Sequence, residues 1–173
     1  MSRPTSQEYN SHFEPYVSMT SGNSVAELIA NHSVYLLDFI NDIPQQKADY
    51  RYAPAKWTVK EVLQHIIDME RVFAYRALCI ARGDTQQLPG VDQDQFAQYQ
   101  RVQYRAFSDI QEEFLAMRSD HNILFRSFDK PALSAKGLVN GSSCTCQSWI
   151  FISFGHALYH VQMLKDRYEI PHL

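Results

Sequence analysis

Two histidines, His156 and His160, stand four residues apart near the end of the sequence. On a helix, residues at that spacing share one face, a turn from each other. Two imidazoles so placed can point at a common ion, with ring nitrogens ~2.0–2.1 Å from a zinc. The same spacing also suits a polar seam or a hydrogen-bonded pair in a core, and the pair alone does not separate these. Its setting favours chemistry. Trp149, Ile150, Phe151, Ile152, Phe154 and Leu158 surround it in the most apolar stretch of the chain, and a buried imidazole needs a partner.

A third ligand has to come from another element. His65 is the best placed, mid-way along an apolar stripe between Val62 and Met69. Glu61 and Asp68 lie on nearby rows of the same predicted helix. Either carboxylate could hold an imidazole N–H or act as acid or base near an ion; the plainer reading of each is a solvated charge. His121 falls in another apolar stripe and reads as a satisfied core residue, His32 is also on a helix, and His12 and His172 fall in terminal tails. Three cysteines, Cys79, Cys144 and Cys146, are an odd set that reads as free thiols. A structural zinc site from Cys144, Cys146, His156 and His160 fails on spacing. Only one residue separates the cysteines, and ten residues of helix from Cys146 to His156 would span ~15 Å.

Four helical patterns must position these residues. The first opens at Ser24, where Ser24 and Glu27 make a capping-box pattern, and runs to Pro44. The second opens on Thr58 and Glu61, carries His65 and ends at Gly83. The third runs from about Ser108 to Phe128 with the stripe Ile110, Phe114, Met117, His121, Leu124 and Phe128. The fourth runs from about Thr145 to Tyr168, and Pro171 forbids continuation. A short helical piece capped by Asp92 or Asp94 is expected between the second and third. No convincing alternating strand is visible, and Asp129 to Cys144 reads as a loop. The expectation is an all-α fold, a four-helix bundle whose long connections allow crossovers. Residues 1–23 read as a polar arm with room for one helical turn, and 24–173 as a single domain.

The chain's 173 residues, 45% hydrophobic, suffice for one core. A net charge of −3 argues against nucleic acid and against a polybasic membrane anchor. No secretory h-region and no apolar run of membrane length appear, so the expected location is cytoplasmic.

Residues 57–84, WTVKEVLQHIIDMERVFAYRALCIARGD, resemble the second helix of the DinB-like (DinB/YfiT-like) metal-dependent enzymes. LPGVDQDQFA, from Leu88 to Ala97, resembles that family's following connection, EEFLAMRSDHNILFRSF its third helix, and FGHALYHVQMLKDRY, from Phe154 to Tyr168, its closing helix. The resemblance implies a four-helix bundle holding one divalent metal ion, commonly nickel, zinc or iron, on His65, His156 and His160. It also implies a small-molecule substrate, and a reaction in which a low-molecular-weight thiol serves an S-transferase or isomerase. A metal-dependent hydrolase and a non-catalytic metal- or ligand-binding bundle are the alternatives. A homodimer is expected. The Cys144 to Cys146 segment has no counterpart with a role in that pattern.

Overall fold

The computed structural model describes residues 2–170; Pro171 and His172 lie outside them. Four long helices form the body: α2 (Val25–Asn41), α3 (Val59–Ala81), α5 (Phe107–Arg126) and α7 (Cys146–Tyr168). Three short ones decorate it: α1 (Glu14–Met19), α4 (Gln93–Tyr99) and α6 (Lys130–Ser134). A hairpin of β1 (Lys136–Val139) and β2 (Ser142–Thr145) precedes α7. Among the described residues no helix is long and apolar enough to cross a membrane.

Side-chain caps start three of the four long helices, α2, α3 and α7, while α5 begins after Ala106 with none. Thr58 accepts the N–H of Glu61 at 3.2 Å, and the Glu61 carboxylate takes the Thr58 N–H at 2.6 Å, a complete capping box. Thr145 and Ser148 form the equivalent box on α7, with serine in the third position. At α2 the pattern is only half realised. Ser24 accepts the Glu27 N–H, but the Glu27 carboxylate reaches one residue further back, to the Asn23 N–H at 2.9 Å. Asp92 caps α4 by accepting from Asp94 and Gln95, so the short helical piece expected there is present.

The long helices do not pack in chain order. α2 lies against α5 and α7, and α3 lies against the same two. Going round the bundle the order is therefore α2, α5, α3, α7, with consecutive helices α2 and α3 on a diagonal. The connections that cross the bundle end are long enough to permit this. Within the mainly apolar core between the helices lies a polar knot. There Glu70 of α3 is ion-paired with Arg118 of α5 and bonded to His121 Nδ1 at 3.2 Å, and the Arg118 guanidinium lies 4.2 Å from the Phe154 ring centre. His121 is thus a core histidine with a carboxylate partner.

The absence of strand predicted for 129–144 is corrected by the hairpin. Lys136 pairs with Thr145 and Val139 with Ser142 across an Asn140-Gly141 turn. Both turn residues have positive φ, 47° and 76°, as a two-residue hairpin of matching twist requires. Leu88, ahead of α4, adds to the hairpin through its N–H to Leu138 O (2.9 Å) and its carbonyl to the Asn140 N–H (3.0 Å).

The N-terminal stretch is packed onto α7. Thr145 N–H donates to Glu8 O at 3.1 Å, Gln147 Nε2 to Ser2 O at 2.6 Å, and Arg3 Nη1 to Thr20 O at 2.9 Å. A 3-10 turn at Ser11–Phe13 leads into α1. The contact is close at Gly155, where an added Cβ would stand 2.0 Å from Tyr16 O.

Candidate metal centre

His65 sits two turns into α3, and His156 and His160 occupy successive turns of α7. The α3–α7 contact is the principal helix pairing of the bundle, so the three side chains meet in its seam. His65 Nε2 lies 3.1 Å from His156 Nε2. One ring nitrogen from each of the three falls within 4.8 Å of the others, and among the described residues these three are the one such group of metal-ligating type. Two ligands of a tetrahedral ion at ~2.0–2.1 Å stand about 3.3 Å apart, close to the His65–His156 separation. Ring centres are 4.5 Å apart for His156 and His160, and 4.8 Å for His65 and His160.

All three rings are almost wholly buried. Burial removes the hydration that an imidazolium needs. It holds His65 down to about 4 and His160 to about 3, and places His156 well below the ordinary histidine value. Neighbouring imidazoles push His156 and His160 in the same direction. The three are therefore neutral bases at neutral pH, the form that ligates a cation. His160 Nδ1 is buried with no hydrogen-bond partner. A neutral, convergent donor set with an unsatisfied nitrogen fits a divalent ion.

An aromatic wall surrounds the donors. The Trp57 ring centre is 4.9 Å from that of His65, Tyr16 and Phe73 stand edge-on to His156 at 5.2 and 5.4 Å, and Tyr159 stands edge-on to His160 at 5.4 Å. On the His156 side a cavity of about 530 Å³ opens. Its walls come from the N-terminal segment (His12, Phe13, Tyr16), from α3 (Met69, Phe73, Arg76), from the hairpin and from Trp149 of α7. His12 thus lies at the cavity rather than in a free tail.

The two carboxylates proposed from sequence are placed differently. Glu61 is engaged in the cap of α3 with the Thr58 N–H and hydroxyl. Asp68 accepts from Gln64 Nε2 at 2.9 Å and lines a shallow depression with Arg71, Phe96 and Tyr99, on the α4 side of the helix. Burial raises the Asp68 carboxyl above its ordinary value. The cysteines are free thiols. Cys144 lines the cavity and accepts the Trp149 Nε1–H at 2.9 Å, while burial pushes the Cys146 thiol up to about 12.

Residues that the sequence reading passed over include Tyr16, Phe13 and Arg76. Arg76 did carry a signal. It follows Met69 and Phe73 at helical spacing, a charge set on the apolar row of α3. The N-terminal aromatics had none, because no periodicity marks so short a helix.

The bundle thus sets three neutral histidines in one interhelical seam, a donor set able to hold a divalent ion. The chain belongs to the DinB superfamily, whose sequence profile matches residues 22–164. Among solved structures it is similar to YfiT from Bacillus subtilis, at a TM-score of 0.67 and 13% sequence identity, covering 96% of this chain and 91% of that one. YfiT is described as a probable metal-dependent hydrolase with an unusual four-helix bundle topology. At that identity the likeness is one of fold. No curated protein matches the chain.

Proposed function

We propose that this chain is a metal-dependent enzyme acting on a small molecule, and that the reaction is a hydrolysis. The observation that carries the reading is the convergence of His65, His156 and His160, buried and uncharged, with His156 lining a cavity. The description of YfiT as a probable metal-dependent hydrolase points the same way. His65, His156 and His160 would hold one divalent ion. Such an ion supplies Lewis-acid chemistry, polarising the group under attack and readying its nucleophile.

The chain's own residues do the rest. Three protein donors leave coordination open, which separates a reactive site from a structural one. Phe73, Trp57, Tyr16 and Tyr159 exclude water from the donors' flanks and fix the ring planes by packing. Glu61 contributes by fixing the first turn of the helix that carries His65. We assign neither Glu61 nor Asp68 a proton-transfer step, since their carboxylates are bonded to Thr58 and Gln64.

The test is an assay of the zinc-, nickel- and iron-loaded chain against a panel of small esters and amides. Cleavage that requires the ion and is lost in His156→Ala supports hydrolysis. No cleavage, together with conjugation of a generic electrophile by an added low-molecular-weight thiol, would replace it with the thiol-dependent transfer that the family resemblance implies.

A further inference from the structure

Arg76 is 5% exposed, yet among the described residues it has no ion-pair partner. The contrast with Arg118 is direct, because that buried arginine has Glu70. One terminal nitrogen of Arg76, Nη2, donates to Pro89 O at 3.0 Å, and the guanidinium carbon lies 4.6 Å from the Trp149 ring centre. Both contacts orient the group without neutralising it. Among the described residues its other donors make no hydrogen bond, and the residue lines the cavity beside His156. Asp92 is the one carboxylate among the lining residues, and its Oδ1 is occupied by the Asp94 and Gln95 N–H groups.

A buried charge without a counter-charge is costly. An arginine held over an aromatic face, with part of its donor fork free, is suited to a planar anion. We propose that Arg76 is the anion-binding end of the substrate site, and that the substrate is a small molecule carrying a carboxylate, phosphate or sulfonate. The inference rests on the reading of the histidines as the metal end of the same cavity. The geometry sets an upper limit on length. The Arg76 guanidinium carbon is 6.0 Å from the Phe73 ring centre, and that ring is 5.4 Å from the His156 ring. Guanidinium and imidazole are therefore no further apart than those two steps, about 11 Å. A molecule bridging them has its anion and its reacting group at opposite ends of a short, apolar middle, which Phe13, Phe73, Trp149 and Val139 would contact.

The experiment compares 6-mercaptohexanoate and 8-mercaptooctanoate with 6-mercaptohexanol and 8-mercaptooctanol, which have the same chain and thiol but no charge. Binding is measured by titration calorimetry to the full chain, metal-free and cobalt-loaded, and the cobalt spectrum reports a thiol reaching the ion. The acids are expected to bind at least tenfold more tightly than the alcohols in both states. Arg76→Gln should abolish that preference while leaving alcohol affinity and cobalt content unchanged, and Arg76→Lys should retain part of it. Equal binding of acid and alcohol to the unaltered chain would overturn the proposal whatever the variants do, as would a preference that persists in a folded Arg76→Gln protein. If the chain takes up no cobalt, the metal reading fails, and the acid-to-alcohol ratio on the metal-free chain still decides the role of Arg76.

Discussion

At the scale of single residues, His65 and His160 combine deep burial with strongly basic-averse surroundings. Their folded values, about 4 and about 3, lie below the 6.5 of a free imidazole. A histidine with a depressed folded value contributes its full share of stability above the unfolded value. That share is lost as pH falls below about 6.5, and the loss levels off only below the folded value. The metal-free chain should therefore weaken from pH 6.5 down to about 4, by up to about 1.4 kcal/mol per pH unit for each such histidine. Urea midpoints across that window check this. The slope should be shallower in His160→Gln, and an identical slope would contradict the burial argument. The same low values mean that protons compete weakly with a metal in the folded protein until well below neutrality.

At the scale of elements, α7 carries two of the three clustered histidines and is also the helix that the N-terminal segment covers. Gly155 makes that cover possible. A methyl group there would meet the Tyr16 carbonyl at 2.0 Å, and neither backbone can yield cheaply. Gly155→Ala should cost about 1–3 kcal/mol, as overpacking does. It should also lift α1, uncovering Tyr16's face of His156. Limited proteolysis within residues 11–20, alongside denaturant unfolding, measures both effects. Wild-type protection and stability together would mean that α1 is not held as described. The helix starts were legible because caps are local: Thr58 with Glu61, and Thr145 ahead of an apolar run, announce themselves in a few residues. The hairpin was not, although Asn140-Gly141 is a recognised turn signal. Its strands are four residues each, Gly137 offers no side chain, and no apolar alternation marks them.

At the scale of the whole molecule, what the sequence conceals is everything settled by distant partners. The Ser2, Glu8 and Thr20 carbonyls that tie down the N-terminal segment are bonded to Gln147, Thr145 and Arg3, and no local pattern encodes such pairings. The diagonal order of helices follows from long connections that the sequence permits without dictating. The three histidines were visible as a helical pair plus one, because four-residue spacing survives in sequence. Their meeting in one seam needed the packing of α3 on α7. Arg76 and the cavity walls needed that packing and the hairpin as well.

His65, His156 and His160 are proposed to hold one ion between them. The most direct test is the metal content of the chain purified without chelator, read by elemental analysis beside His65→Ala, His156→Ala and His160→Ala. About one divalent ion per chain is expected, falling in each variant by at least tenfold in affinity when metal is titrated back. Metal content and affinity unchanged in all three variants would contradict the account.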